Sequence, residues 1–160
     1  MFNKPKRSVN RVFIHCSASD NPKHDDVKVI EEWHKQRGFN GVGYHYFIQA
    51  NGNIQEGRNI EITPAAQVGY NADSIAICLH GLEGFTEKQF QALRLLCAEI
   101  NKVCDVTFHG HCEVSTKTCP NFDYRGILHL SNGKMFTPKI FTKPPAPSKL
   151  KKFLAWLNKE

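Results

Sequence analysis

Apolar residues in this chain fall into short runs set between polar punctuation, and two different periods can be read from them. Arg11 to Cys16 is a short, nearly continuous apolar run, and Ile75 to Leu79 is another. Runs of this length predict strands covered on both faces. Tyr44 to Ile48 is rich in aromatic residues and reads as a third strand, approached through Gly41 and Gly43. Asn51-Gly52 then predicts a hairpin turn with positive φ at both central positions, and Asn53 to Glu56 the returning strand. Val106 to His109 is the last strand predicted. The helical period appears twice. Asp25 or Asp26 can cap a helix from Val27 that ends near Gly38. Val27, Ile30 and Trp33 mark its inner face, which His34 can share, though His34 reads as a helix-surface or boundary residue rather than a ligand. Thr86-Glu-Lys-Gln89 is a capping-box pattern. It opens a second helix with Phe90, Leu93, Cys97, Ile100 and Cys104 on one stripe, widened by Leu96 and Val103. Strands and helices alternate, but a hairpin interrupts the order. The expected fold class is therefore α/β, a single domain with a mixed central β-sheet flanked by helices.

The ends of the chain read differently. Residues 1–10 form an N-terminal arm, and residues 11–136 hold the patterned domain. Residues 137–147 are a proline-rich, extended connector. Residues 148–160 predict a basic amphipathic helix, with Leu150, Phe153, Leu154 and Leu157 on one side and lysines on the other. A length of 160 residues suits one domain with a real core, and a monomer is expected. No apolar run approaches the roughly 20 residues of a membrane span, so no transmembrane segment is expected. The first residues, Met-Phe-Asn-Lys-Pro-Lys-Arg, carry charge but no apolar stretch after it, unlike a Sec-type signal. The expectation is a product made in a cytoplasm that leaves only when something else releases it.

Charge changes this picture only a little. The net charge of +6 suits an acidic polymer partner, and both nucleic acid and bacterial cell wall qualify. No nucleic-acid motif is present and the aromatics are not interleaved with basic residues, so no nucleic-acid partner is expected. The six cysteines do not look like a disulfide framework. Cys78, Cys97 and Cys104 sit at apolar positions and read as small buried hydrophobes. Cys16 and Cys112 each follow a histidine of interest and read as packing beside it.

The candidate chemistry gathers in His111-Cys-Glu-Val-Ser-Thr-Lys117-Thr-Cys119-Pro120. An imidazole and a thiolate at that spacing can grip one zinc ion from the two sides of a loop. The candidate for a third ligand is His15, where a buried strand gives way to the small-residue loop Ser17-Ala18. Three protein ligands leave a fourth position for water, the pattern of catalytic zinc sites. On spacing alone a chance juxtaposition with a buried Cys119 thiol stays open, since no CxxC or HExxH pattern sharpens it, and His109 competes with His111. Lys117, two residues before Cys119, is placed to stabilise an oxyanion.

Five motifs occur here in one order: His15-Cys-Ser-Ala; Gly43-Tyr44-His45-Tyr46; Glu56-Gly57-Arg58; Gly69-Tyr70-Asn71 with Ser74-Ile75; and His111 to Pro120. In that series the chain resembles the zinc-dependent N-acetylmuramoyl-L-alanine amidases of the phage T7 lysozyme kind (amidase type 2) and the related peptidoglycan recognition proteins. The resemblance runs from about Arg11 to Arg125. It implies that fold for residues 11–136, selects His111 over His109, and implies one zinc ion per chain on His15, His111 and Cys119. It also implies that Tyr44 lies beside the zinc water, where its phenol orients the water or the carbonyl, while His45 is structural. The implied function is hydrolysis of the amide between N-acetylmuramic acid and L-alanine in bacterial peptidoglycan, by a phage or prophage endolysin or a secreted antagonist of neighbouring cells. Two alternatives stand beside it: a non-catalytic wall-binding module of the same fold, and a regulatory partner of another macromolecule such as a polymerase. One departure matters. Many relatives carry a groove histidine where this chain has Ala66, and Gln67 can replace it as a hydrogen-bonding group. Gln67, Asn71 and His80 are the candidate substrate-binding residues; His80 follows a strand and precedes Gly81, which would put it in a loop at the cleft. His24 and His129 carry no signal.

The C-terminal helix generates a test. At about three turns it is marginal on its own in water, so its apolar side is expected to dock on the domain. Removing residues 138–160 should lower the melting temperature and leave the metal chemistry intact. An unchanged melting temperature, with weaker and salt-sensitive binding to anionic lipid, would make the helix a surface anchor instead.

Overall fold

The structure is a computed structural model that describes residues 2–131. The expected connector and C-terminal helix lie outside the described residues. Within them the chain runs β1 (Arg11–Cys16), α1 (Val27–Gln36), β2 (Tyr46–Ile48), β3 (Ile54–Glu56), β4 (Ser74–Leu79), α2 (Glu87–Val103), β5 (Thr107–Gly110) and α3 (Tyr124–Leu128). Single 3₁₀ turns occur at Pro22–His24 and His111–Glu113.

The strands make one five-stranded sheet in the order β3-β2-β4-β1-β5. β1 is parallel to both neighbours, with Ile14 opposite Ile77 of β4 and Gly110 of β5. β2 is parallel to β4, and the β2–β3 hairpin supplies the antiparallel edge. The mixed sheet anticipated from the patterning is therefore present, with its parallel part in the middle. Covering both faces of β1 and β4 explains why neither sequence alternates: every residue of β4 is buried. Val12, Ile14, Ile75, Ile77 and Leu79 pack with Leu93, Leu96, Cys97 and Ile100 of α2. Phe47 and Cys78, at the other parity, pack with Ile30 of α1. Cys78, Cys97 and Cys104 are buried as expected. The N-terminal arm adds to the α2 side, where Phe2 and Val9 join the core.

Both helix starts follow their sequence signals. The Asp26 side chain accepts from Lys28 N–H, and Thr86 and Gln89 form a reciprocal capping box. The hairpin differs from expectation. Gly52 N–H donates to Gln49 O at 2.8 Å and Gln49 N–H to Asn53 O at 2.8 Å, so the loop holds three residues. Only Gly52, at φ +85°, needs the left-handed region, as in a turn closed by a glycine bulge. β2 also starts later than expected, at Tyr46, because His45 uses its ring in the ladder. Its Nδ1 accepts from Ala76 N–H at 3.1 Å while its own N–H donates to Ala76 O at 2.9 Å. α3 carried no helical period long enough to read; it is one turn capped by Asp123.

Gln89 ties α2 to the sheet. Wholly buried, its amide donates to His80 O at 2.7 Å and Ile48 O at 3.2 Å, while its oxygen accepts from Thr86 N–H at 3.0 Å. Gln89→Ala would strip the Gln89 contact from His80 O and from the cap N–H of Thr86, while Ile48 O keeps His80 N–H at 2.9 Å, at a cost of about 2–3 kcal/mol. Thr86→Ala removes the cap and the hydroxyl's bond to Ala50 O at 2.6 Å, and should cost about 1–2 kcal/mol. Urea unfolding of the two variants checks the order.

Candidate metal centre

Side chains alternate across β1, so Phe13 and His15 face away from α2. His15 is wholly buried one residue before the strand ends. On its other flank β5 ends at Gly110, and His111 follows at once in a 3₁₀ turn. The loop from there to Cys119 is closed by Cys112 N–H donating to Cys119 O at 2.7 Å. Residues far apart in sequence thus meet at the carboxyl ends of two parallel strands. The ligand atoms of His15, His111 and Cys119 all lie within 4.8 Å of one another. His15 Nδ1 is 3.9 Å from Cys119 Sγ, and the rings of His15 and His111 are 4.6 Å apart at their centroids. Cys16 N–H donates to Cys119 Sγ at 3.3 Å, a contact that favours thiolate. His109 does not join them: it points elsewhere, bonded to Thr107 Oγ1 at 2.6 Å and Glu113 Oε2 at 2.6 Å.

The chemistry of the donors fits a zinc ion. Burial, and then the neighbouring His111, bring His15 down to about 3. Burial, and then Lys117, lower His111 as well. Both imidazoles therefore present lone pairs near neutral pH. The adjacent Cys16 thiol and burial push the Cys119 thiol up, so ionising it needs a nearby cation. Two neutral imidazoles and one thiol that a dication would ionise form an N₂S set with room for a fourth ligand.

These residues open onto a cleft of about 980 Å³. Tyr44 and Lys117 both line it, as does Asn71. The Tyr44 ring lies 5.1 Å from that of His15, and burial raises its phenol well above the usual value, leaving it a proton donor. Gly43 permits this approach: a Cβ there would lie 2.1 Å from Ala65 O. Lys117 is exposed on the rim. Asn71 has its side-chain oxygen engaged by Ala66 N–H at 3.0 Å and Gln67 N–H at 2.9 Å, so it shapes the loop as well as lining the cleft.

Two expected substrate contacts stand elsewhere. Gln67 is wholly buried and does not line the cleft; its Oε1 meets His15 Nε2 at 2.9 Å. His80 is buried, does not line the cleft, and lies 4.0 Å from Asp25 Oδ1. It follows β4 directly, so the sheet carries it inward rather than into an open loop. Cys112, expected to pack beside His111, is exposed and contributes its backbone N–H instead. His34, read as a surface or boundary residue that could share the inner face, is buried; its Nδ1 accepts from Gly43 N–H at 2.8 Å. With Arg37 and Phe39 it makes a cleft wall that the pattern alone did not reveal. The usable signal was its four-residue spacing from Ile30.

The chain is similar to known proteins over most of its described length. The family profile described as N-acetylmuramoyl-L-alanine amidase matches residues 5–122. The endolysin of Escherichia phage T7 is 35% identical over 131 residues, covering 76% of this chain and 87% of that one. Among solved structures, the N-acetylmuramoyl-L-alanine amidase LysC from Clostridium intestinale URNW superposes with a TM-score of 0.71 at 29% identity, over 77% of this chain and 85% of that chain. The Drosophila peptidoglycan recognition protein SD shares the fold, with a TM-score of 0.62 at 22% identity over 75% of this chain and 79% of its own.

The buried histidines make stability depend on pH. Burial brings both His34 and His45 down to about 4 from 6.5. Between those values the unfolded chain binds protons that the folded chain refuses. Their contribution to stability is complete above 6.5, declines as pH falls, and is gone near 4. The urea midpoint of chelator-treated protein should fall over this window, and His45→Gln should flatten the fall.

Proposed function

The chain belongs to the N-acetylmuramoyl-L-alanine amidase family, and we propose that it acts as a phage endolysin that uses one zinc ion on His15, His111 and Cys119. The reaction is hydrolysis of the amide between N-acetylmuramic acid and L-alanine in peptidoglycan. The observation that carries the zinc reading is the convergence of three suitable ligand atoms on the floor of a cleft walled by a phenol and an ammonium group.

A bound zinc ion would supply a Lewis acid and bring the pKa of a bound water to about 7. The chain's own residues do the rest. His15 and Cys119 are held by the sheet and by backbone contacts, so the centre is rigid. The protonated Tyr44 phenol donates to the attacking water or to the scissile carbonyl and orients it. Lys117 meets the oxyanion as the carbonyl carbon becomes tetrahedral, and its exposed stem lets it follow that charge. The open cleft admits a polymer, and the net charge of +6 suits the anionic wall. No helix among the described residues is long and apolar enough to cross a membrane. In this reading the protein acts on the wall after release from the cell in which it is made.

Product masses test the reaction: digestion of purified peptidoglycan should free stem peptides with an N-terminal alanine and leave glycan chains intact. Intact material that is merely bound would favour a recognition module. A chelator should abolish activity and zinc restore it, and Cys119→Ala should lose both zinc and turnover. Lys117→Ala and Tyr44→Phe should keep zinc; the first should lower kcat by about 10²–10³. Wild-type turnover in both would remove the assigned roles.

A further inference from the structure

Gln67 does not line the cleft, yet its side chain meets the far nitrogen of a proposed metal ligand. The bond from His15 Nε2 to Gln67 Oε1 is 2.9 Å, and both residues are wholly buried. The direction of this bond can be worked out from a group that has no choice. Ser74 Oγ lies 2.8 Å from Asn71 O. A backbone carbonyl can only accept, so the Ser74 hydroxyl must donate its single proton there. Its lone pairs then face Gln67, whose Nε2 lies 2.8 Å away, so the nitrogen of that amide must be the group turned toward Ser74. A second contact agrees: Gln67 Nε2 also faces Tyr70 O at 3.5 Å. With its nitrogen committed, Gln67 presents oxygen to His15. That oxygen can only accept, so His15 carries its proton on Nε2. Its Nδ1 lone pair is thereby left in the ring plane on the side of Cys119, 3.9 Å from Sγ.

We propose that Gln67 is a positioning residue for the metal centre: the relay from Asn71 O through Ser74 and Gln67 fixes the His15 tautomer and ring plane so that Nδ1 is always ready to ligate. This rests on the zinc reading above. The relay is itself anchored. Asn71 Oδ1 accepts from the N–H groups of Ala66 and Gln67, which holds the loop that carries Gln67 against the start of β4. The chain thus uses the position after Ala66 for a residue beneath the cleft floor rather than in its wall. Burial supplies the force of the arrangement. In a fully enclosed site an imidazole with the wrong tautomer would set two acceptors against each other, and neither could turn to water.

The test uses the full chain. Gln67→Met keeps volume and removes the acceptor; Gln67→Glu keeps an acceptor at the same reach; Ser74→Ala unlocks the amide without touching His15. Zinc affinity is measured by competition with a chromophoric chelator, and the His15 tautomer by long-range ¹H–¹⁵N NMR of the zinc-stripped protein. The wild type should show the Nε2–H form. Gln67→Met should show mixed tautomers and bind zinc about 10–100-fold more weakly. Gln67→Glu, which keeps an acceptor for Nε2–H but must carry its own proton or turn the Ser74 hydroxyl away from Asn71 O, should recover the Nε2–H form and bind zinc more tightly than Gln67→Met, and Ser74→Ala should fall between wild type and Gln67→Met. Rescue by Glu is what general loosening of the fold would not produce. Wild-type zinc affinity in Gln67→Met, or an Nδ1–H tautomer in the wild type, overturns the proposal. A wild type with the Nε2–H tautomer that binds no zinc overturns the metal reading, and the proposal with it.

Discussion

An imidazole sealed inside a sheet is the constraint on which the rest of this site depends. His15 sits at the end of a strand hydrogen-bonded on both sides, with Cys78 of β4 opposite it. Neither its backbone nor its ring can adjust to a poorly placed partner, so the partners must come to it. The parallel pairing of β1 with β5 brings the chain out at Gly110, one residue before His111, on the same end of the sheet. The loop that follows needs only to turn back for Cys119 to complete the group. Had β5 paired antiparallel, His111 would emerge at the opposite end of the molecule.

The cleft is built from segments that accept close contact in order to face this centre. The Gly43 backbone runs against Ala65 O, and Gly57 runs as near to Tyr44 O; a Cβ at either would collide. Those approaches set the Tyr44 phenol beside His15 and His34 behind it, with ring centroids of Tyr44 and His34 5.3 Å apart. The opposite wall is the exposed loop bearing Lys117. Rigidity and freedom are thereby divided. Of the groups that would fix a metal, His15 is buried and bonded and His111 and Cys119 are half-buried, whereas Lys117, which would meet a developing charge, is exposed.

Electrostatics supports the same division. Burial holds His15, His34 and His111 neutral by lowering them, and with its neighbours holds Tyr44 and Cys119 protonated by raising them. The centre is therefore poor in fixed charge of its own. In such surroundings a single dication would act on a bound water and a carbonyl with little screening. Amide hydrolysis, the reaction of the family to which the chain belongs, would gain from such a charge: a neutral amide must be attacked and an oxyanion carried.

Patterns confined to one element were legible in the chain itself. The apolar runs of β1 and β4, the capping box of α2 and its inward stripe are local, and each is dictated by the period of one element. The histidine, lysine and cysteine of the last loop could be picked out because they lie within nine residues. What depends on two distant segments meeting could not be read. The hairpin differed because Gly52 closes against Lys88 O, where a Cβ would come within 2.8 Å. His34 stood between the inner face and the surface of its helix until Gly43 was brought over it. Gln67 and His80 looked like cleft residues because polar side chains beside glycine-rich turns usually face water. Gln67 is instead drawn under the floor by a partner 52 positions away, His15. Burial, hydrogen-bond direction and the choice between His109 and His111 are properties of the assembled sheet, since only the register of parallel strands decides which side chains share an end and a face.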